Sequence, residues 1–212
     1  MFAMTLDQRS SQSGPDRVPD LLARLADLEP VLPFERSVGD ELQGVLAGAG
    51  DVVEVALRAL RTGHWYVGIG IGAIDSPLPA SPREARGRAL VAARRAVDRA
   101  KKTGDRVPLA VEVGPAGPRT APGPRAAAPA ASAASAAEAV LVLVGALVAG
   151  RTEAEWRVLD QLHVGLRGTQ AQAAAVLGIS AQAVSKAVLR SGWREEQGGR
   201  NAAAILLDLA DN

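Results

Sequence analysis

Apolar residues along the first half of the chain keep two rhythms, one of period two and one of period three to four. Residues 2–6, FAMTL, form a short apolar strand ending at Asp7, and Gln8 to Gly14 is a polar turn. From Asp16 to Leu28, Val18, Leu21, Leu22, Leu25 and Leu28 share one side of a helix that Pro30 stops. Residues 31–37 and 41–47 are strands flanking Val38-Gly39-Asp40, a hairpin with Asp40 and Glu41 at its tip. A helix over 51–61 follows. Residues 64–71, HWYVGIGI, are the strongest strand, with aromatic and branched side chains and glycines on alternate positions. A proline-bearing loop (76–82), a helix over 83–102 and a closing strand over 107–113 complete the half. This order predicts an α+β domain over 1–113 with a ferredoxin-like antiparallel sheet and helices on one face.

Residues 114–136 change character, being almost wholly Pro, Gly, Ala and Ser, and predict a flexible linker. The remainder, 137–212, is a small all-α domain: helices over 137–148 and 153–166 with Trp156, Leu159 and Leu162 in its core, then a helix-turn-helix, then a closing helix over 201–209.

The helix-turn-helix is the stretch whose chemistry is most legible, TQAQAAAVLGISAQAVSKAVLRSGW from Thr169 to Trp193. Thr169 and Ser180 are N-cap residue types at two helix starts, and Gly178 stands where the first helix needs a left-handed stop. The small Ala174 sits four residues before the glycine and the branched Val184 six after it, the spacing of a two-helix DNA-binding unit. The second helix would present Ala181, Gln182, Ser185, Lys186 and Arg190 to a major groove, with Thr169, Gln170 and Arg194 beside them. Gln and Ser pair with base edges; Lys and Arg meet phosphate. No acidic residue interrupts Arg167 to Arg194, so the local field suits double-stranded DNA although the net charge of the chain is only +1. One such unit offers little contact area, which predicts a homodimer.

Composition narrows the classes. Of 212 residues, 48% are apolar, enough for a real core, and the absence of cysteine excludes disulfides and thiolate sites and fits a cytoplasmic protein. The N-terminus has no signal-peptide pattern, and the longest apolar run, 139–150, is too short to span a bilayer, so no membrane partner is expected. His64 and His163 stand apart, which supports no zinc site. GIGIG is no phosphate loop, since no Gly-Lys-Ser/Thr follows; close packing of a helix accounts for its glycines.

Asp7, at the end of the first strand, and Asp40 with Glu41, at the hairpin tip, would converge if the strands are neighbours, and such carboxylates can hold Mg²⁺ against a phosphate. The blocks FERSVGDELQGVL, YVGIGIG and REARGRALVAARRAVDRAK, in that order, resemble the palm domain of nucleotide and diguanylate cyclases. Joined to a C-terminal helix-turn-helix, they are similar to the SatD-like proteins of bacteria. The cyclase resemblance implies metal ligands at Asp7 and Asp40, Glu41 as a further one, and a phosphate-binding arginine at Arg95. The position of the cyclases' transition-state asparagine is Val91, a lost polar group. The resemblance therefore implies a palm that senses a nucleotide effector or only supports the fold, with a Mg-dependent nucleotide-cyclising enzyme as the alternative.

Overall fold

The computed structural model describes residues 1–10, 14–115, 124–162 and 168–212. Its centre is β1 (Phe2–Gln8), which pairs antiparallel with β3 (Glu41–Leu46) on one side and with β4 (Trp65–Ile71) on the other. β2 (Leu32–Arg36) lies outside β3, and β5 (Leu109–Val113) outside β4, giving the order β2-β3-β1-β4-β5. β4 and β5 run parallel, so the sheet is mixed rather than antiparallel. The cause is the connection: a whole helix crosses between them, as parallel neighbours require.

Helices cover both faces of the sheet, not one. Phe2, Met4 and Leu6 of β1 join Val67, Ile69 and Ile71 of β4 in the main core. That core is closed by α1 (Val18–Leu25), α2 (Ala49–Arg61) and two helices from the C-terminal half. The other face carries smaller groups, Ala3, Gly68, Gly70 and Ala110, and α3 (Arg88–Ala100) lies on them through Ala89, Ala93, Ala96 and Ala100. The approach is extreme. A Cβ on Gly70 would sit 2.0 Å from the Ala89 carbonyl oxygen, and one on Gly68 2.4 Å from the Val97 nitrogen. The β4 glycines thus do what their alternation predicted. α3 starts at Arg88, not at residue 83, because Gly87 (φ +142°) bridges to Ile74, and a Cβ there would lie 2.5 Å from the Ala73 oxygen.

The expected linker over 114–136 is overturned from Pro124 onward, where α4 (Pro124–Ala149) begins; residues 116–123 lie outside the described residues. Alanine is the strongest helix former, so an Ala-rich run reads as low complexity while being helical. Its buried positions Ala134, Ala137, Leu141, Val144 and Val148 recur every three and four residues and belong to the same core as the sheet. α5 (Glu153–Leu159) opens on a capping box between Thr152 and Glu155 and stops at Leu159, short of the expected 166, because the chain turns over Asp160 and Gln161; His163 lies outside the described residues. α6 (Thr169–Leu177) and α7 (Ala181–Arg190) follow. The last helix, α8 (Trp193–Asp211), is longer than expected and returns Ala203, Leu207 and Ala210 to the main core. Among the described residues the protein is thus α+β, with a five-stranded mixed sheet and eight helices.

The β4 glycines give a sharp expectation. Gly70→Val should destabilise the protein by at least about 3 kcal/mol in urea unfolding, since the clash is with helix backbone that cannot rotate away. Gly50→Ala is the contrast: Gly50 is in α2 with nothing within 4 Å of its Cβ position. That change should stabilise by about 0.5–1 kcal/mol.

Candidate nucleic-acid interface

Gly178 ends α6 in the left-handed conformation (φ +65°), and the Ser180 hydroxyl accepts a 3.1 Å hydrogen bond from the Ala183 amide at the start of α7. Both are as the sequence predicted. The other cap is not: the residue at the head of α6 is Gly168 (φ +81°), and Thr169 is the first residue of the helix without a capping bond. A left-handed backbone at 168 serves the entry turn, a role for which glycine needs no side-chain oxygen. The axes of α6 and α7 bend by 112° across the three-residue turn of residues 178–180.

The unit has its own small core, Val158 and Leu159 from α5 with Ala173, Val184 and Val188. Burying Val184 and Val188 turns the opposite side of α7 outward, so Ala181, Gln182, Ser185, Lys186 and Arg190 are all exposed, with Leu189 beside them. Thr169 and Gln170 are half-buried at the head of α6, and Arg194 is exposed in the first turn of α8. Arg190 is partly committed inward, 3.7 Å from Glu155, whereas Lys186 and Arg194 show no ion pair among the described residues. A groove of about 440 Å³ runs between α5 and α7, floored by Val158, Leu177, Ile179 and Ala187.

The carboxylates of the first half sit elsewhere, on the α3 face of the sheet. Asp7 and Glu41 are direct cross-strand partners, so those two do converge. Asp40 contributes its backbone oxygen to the Gln8 amide at 3.4 Å, and its side chain joins no ion pair among the described residues. Lys101 Nζ donates to Asp7 at 2.6 Å, and Arg94 donates to Glu41. Burial pushes the Glu41 carboxyl up, Arg94 pulls it down, and the neighbouring Asp7 charge pushes it up again. Two carboxylates matched by two cations are not the open oxygen set that Mg²⁺ takes, and no group of three or more such side chains is placed for a metal among the described residues. Arg94, not Arg95, is the arginine that reaches them; Arg95 and Val91 are exposed on α3.

Sequence reading missed the polar cluster that ties α5, α6 and α7 to the rest. Arg61, at the end of α2, forks onto Asp160 with two bonds of 2.7 Å and stacks over Trp156 at 3.9 Å. Arg151 lies over the same ring at 4.8 Å, donates to the Ser191 carbonyl at 2.9 Å and meets Glu196 at 2.5 Å. Arg151 and Glu196 side chains are only 1% and 3% exposed. Arg200 links Glu196 to Glu54, and Arg58 links Glu54 to Asp27. Charged residues spread over some 170 positions carry no local spacing, so no sequence signal marks them as partners; Arg61 could be read only as a favourable last-turn cation.

Compared with protein-family models, with curated proteins and with solved structures, the chain matches none.

The cluster has a pH signature. Burial alone would raise the Glu54 carboxyl, but the hydrogen bonds and charges of Arg58 and Arg200 outweigh it and hold the group below its ordinary 4.5. A depressed folded value contributes stability that is complete above the unfolded value and is lost as pH falls through the folded one. Glu54→Gln should therefore cost about 1–2 kcal/mol at neutral pH, with the gap to the parent closing as pH drops below about 4.5. A gap unchanged from pH 7 to pH 3 in paired melts would show that these ion pairs do not stabilise the fold.

Proposed function

We propose that this chain is a DNA-binding protein, a transcriptional regulator that docks α7 in a major groove. The carrying observation is the outward side of α7: Gln182 and Ser185 for base edges, Lys186 for phosphate, on a helix fixed by Ser180 and by the burial of Val184 and Val188. Leu189, exposed on the same helix, suits a thymine methyl. Arg194 extends the basic edge, and Thr169 and Gln170 at the head of α6 would touch the backbone where the first helix crosses it. The resemblance of residues 1–113 to a cyclase palm supports a nucleotide effector as the signal, and that of the whole to SatD-like proteins supports a cytoplasmic regulator. The second reading, a Mg-dependent nucleotide-binding or nucleotide-cyclising enzyme acting through Asp7 and Asp40, draws on the pairing of Asp7 with Glu41. It ranks lower because Lys101 and Arg94 already neutralise those carboxylates.

The test is binding of the full chain to a pool of genomic DNA fragments at several salt concentrations. Affinity should fall steeply with salt, and Lys186→Ala should reduce the log–log slope by about 0.9, the release of one phosphate contact. Gln182→Ala should instead relax sequence preference at roughly constant slope, while Arg95→Ala changes neither. Absence of any retained DNA at low salt would remove the reading. A cyclic product from nucleoside triphosphates with Mg²⁺, abolished by Asp40→Asn, would put catalysis first.

A further inference from the structure

The largest unexplained feature is the outer side of α4 and α8. The core positions of α4, from Ala134 to Val148, leave Ser132, Ser135, Ala139, Leu143 and Ala146 on the side turned from the sheet, all exposed and none charged. The two serines are small and lie toward the start of the helix; from Ala139 onward the strip is wholly apolar. α8 runs antiparallel beside it, with Gly192 against Leu147 and Gly199 against Val144. Its outer side adds Ala202, Ile205 and Leu209. The large groups are far from incidental exposure: Leu143 is 70% exposed, Ile205 61% and Leu209 58%. Water on such a surface costs about 25 cal/mol per Å², and isolated proteins rarely leave large contiguous apolar patches uncovered.

We propose that this α4–α8 face is where two copies of the chain pair, closing the two antiparallel helix pairs into a four-helix contact. The pairing deepens the DNA-binding reading by naming its partner, but its evidence is the face itself. Size fits. Helices of 21 and 19 residues, 129–149 and 193–211, are roughly 30 Å long and together roughly 20 Å wide. That gives about 600 Å² a side and about 1,200 Å² in all, the lower end of stable, specific interfaces. Charge fits as well: the strip has no fixed charge of its own, so a face identical to it repels nothing, and Arg194, Glu195 and Asp208 stand at its margins as a polar rim. Small alanines and serines on α4 let helix axes approach closely, with Leu143 and Ile205 as the knobs between them. α5, α6 and α7 are held between α4 and α8 in sequence, so a two-fold through this face carries both helix-turn-helices in one assembly.

The competing occupant is a lipid bilayer, since residues 129–149 are long and apolar enough to cross one, contrary to the estimate from the 139–150 run. A span would require withdrawing Ala137, Leu141, Val144 and Val148 from the sheet core, which removes apolar contact instead of adding it. A copy of the chain covers the outer side and leaves the inner one in place.

The experiment is light scattering of the full chain without DNA at about 100 µM, above the micromolar end of the range that specific interfaces span. Twice 21.8 kDa is expected, falling to 21.8 kDa in the Leu143→Glu, Ile205→Glu double variant with its circular dichroism unchanged. Val91→Glu, on an exposed apolar residue of α3, should leave the mass doubled. Should the double variant fail to fold, Leu143→Cys supplies a single thiol in a cysteine-free chain. Its alkylation should slow at least about tenfold between 0.1 and 100 µM protein as pairing covers it. A parent that stays at 21.8 kDa, a doubled mass that survives both glutamates, or a thiol equally reactive at all concentrations would overturn the proposal. So would a monomer that floats with phosphatidylcholine–phosphatidylglycerol vesicles and loses that through Leu143→Glu. The DNA reading could fail with this intact, and the reverse.

Discussion

Everything in this structure depends on covering the β1 face that carries Phe2, Met4 and Leu6. An interior sheet with helices on both sides must bury two apolar surfaces. Here the α3 side is sealed by glycine and alanine at close range, while the other needs bulk. α1 and α2 do not suffice, so α4 and α8 are drawn in, and Leu141, Val144, Leu207 and Ala210 become part of the same core as Ile69 and Leu109. The consequence is topological. The unit formed by α5, α6 and α7 is not hung on the end of a tether but set between two helices that the sheet holds, and its own core of Val158, Leu159, Ala173, Val184 and Val188 is an annex to the main one.

Polar groups finish what the apolar core begins. Burying Arg151 with Glu196 is expensive, since two charges lose water, and such pairs seldom add net stability over an apolar substitute. What they supply is definition. Arg151 answers the Ser191 carbonyl at the end of α7, and with Arg61 it encloses the Trp156 ring. The start of α5, the exit of α7 and the end of α2 are thereby fixed relative to one another. Leucines would have held the same elements together and left their mutual angle loose, whereas fork-shaped guanidinium bonds to Asp160 have one geometry.

Local signals in the sequence were reliable where one residue decides one backbone event. Gly178, Ser180, the alternate glycines of β4 and the hairpin at Gly39 all fall as the residue types dictate. Failures came where the deciding partner is distant. A mixed sheet could not be told from an antiparallel one because Leu109 to Val113 pairs with β4 equally well in either direction by composition; the crossover through α3 chooses. The run from Pro124 to Ala136 looks like a linker because it holds no bulky apolar residue, yet alanine is the strongest helix former and Ala134 already lies in the main core. At the carboxylates, Asp7 and Glu41 meet because cross-strand register follows from alternation, but Lys101 and Arg94 arrive from a helix whose phase against the sheet is set by Gly68 and Gly70.

Those placements constrain any communication between the two halves. Asp7 and Glu41 lie on the α3 face, whereas α5–α7 attach on the α2, α4 and α8 face, with the packed sheet between them. A close-packed sheet shifts little for a small binding event, so an effector on the α3 side would need an element with two arrangements to act through. The Arg61 contacts do differ in kind: Asp160 and Arg61 are partly exposed, their bonds exchange with water at modest cost, and they join the end of α2 to the end of α5. A change in that polar seam would not uncover the sheet, which makes it the place where coupling between the halves would be expressed.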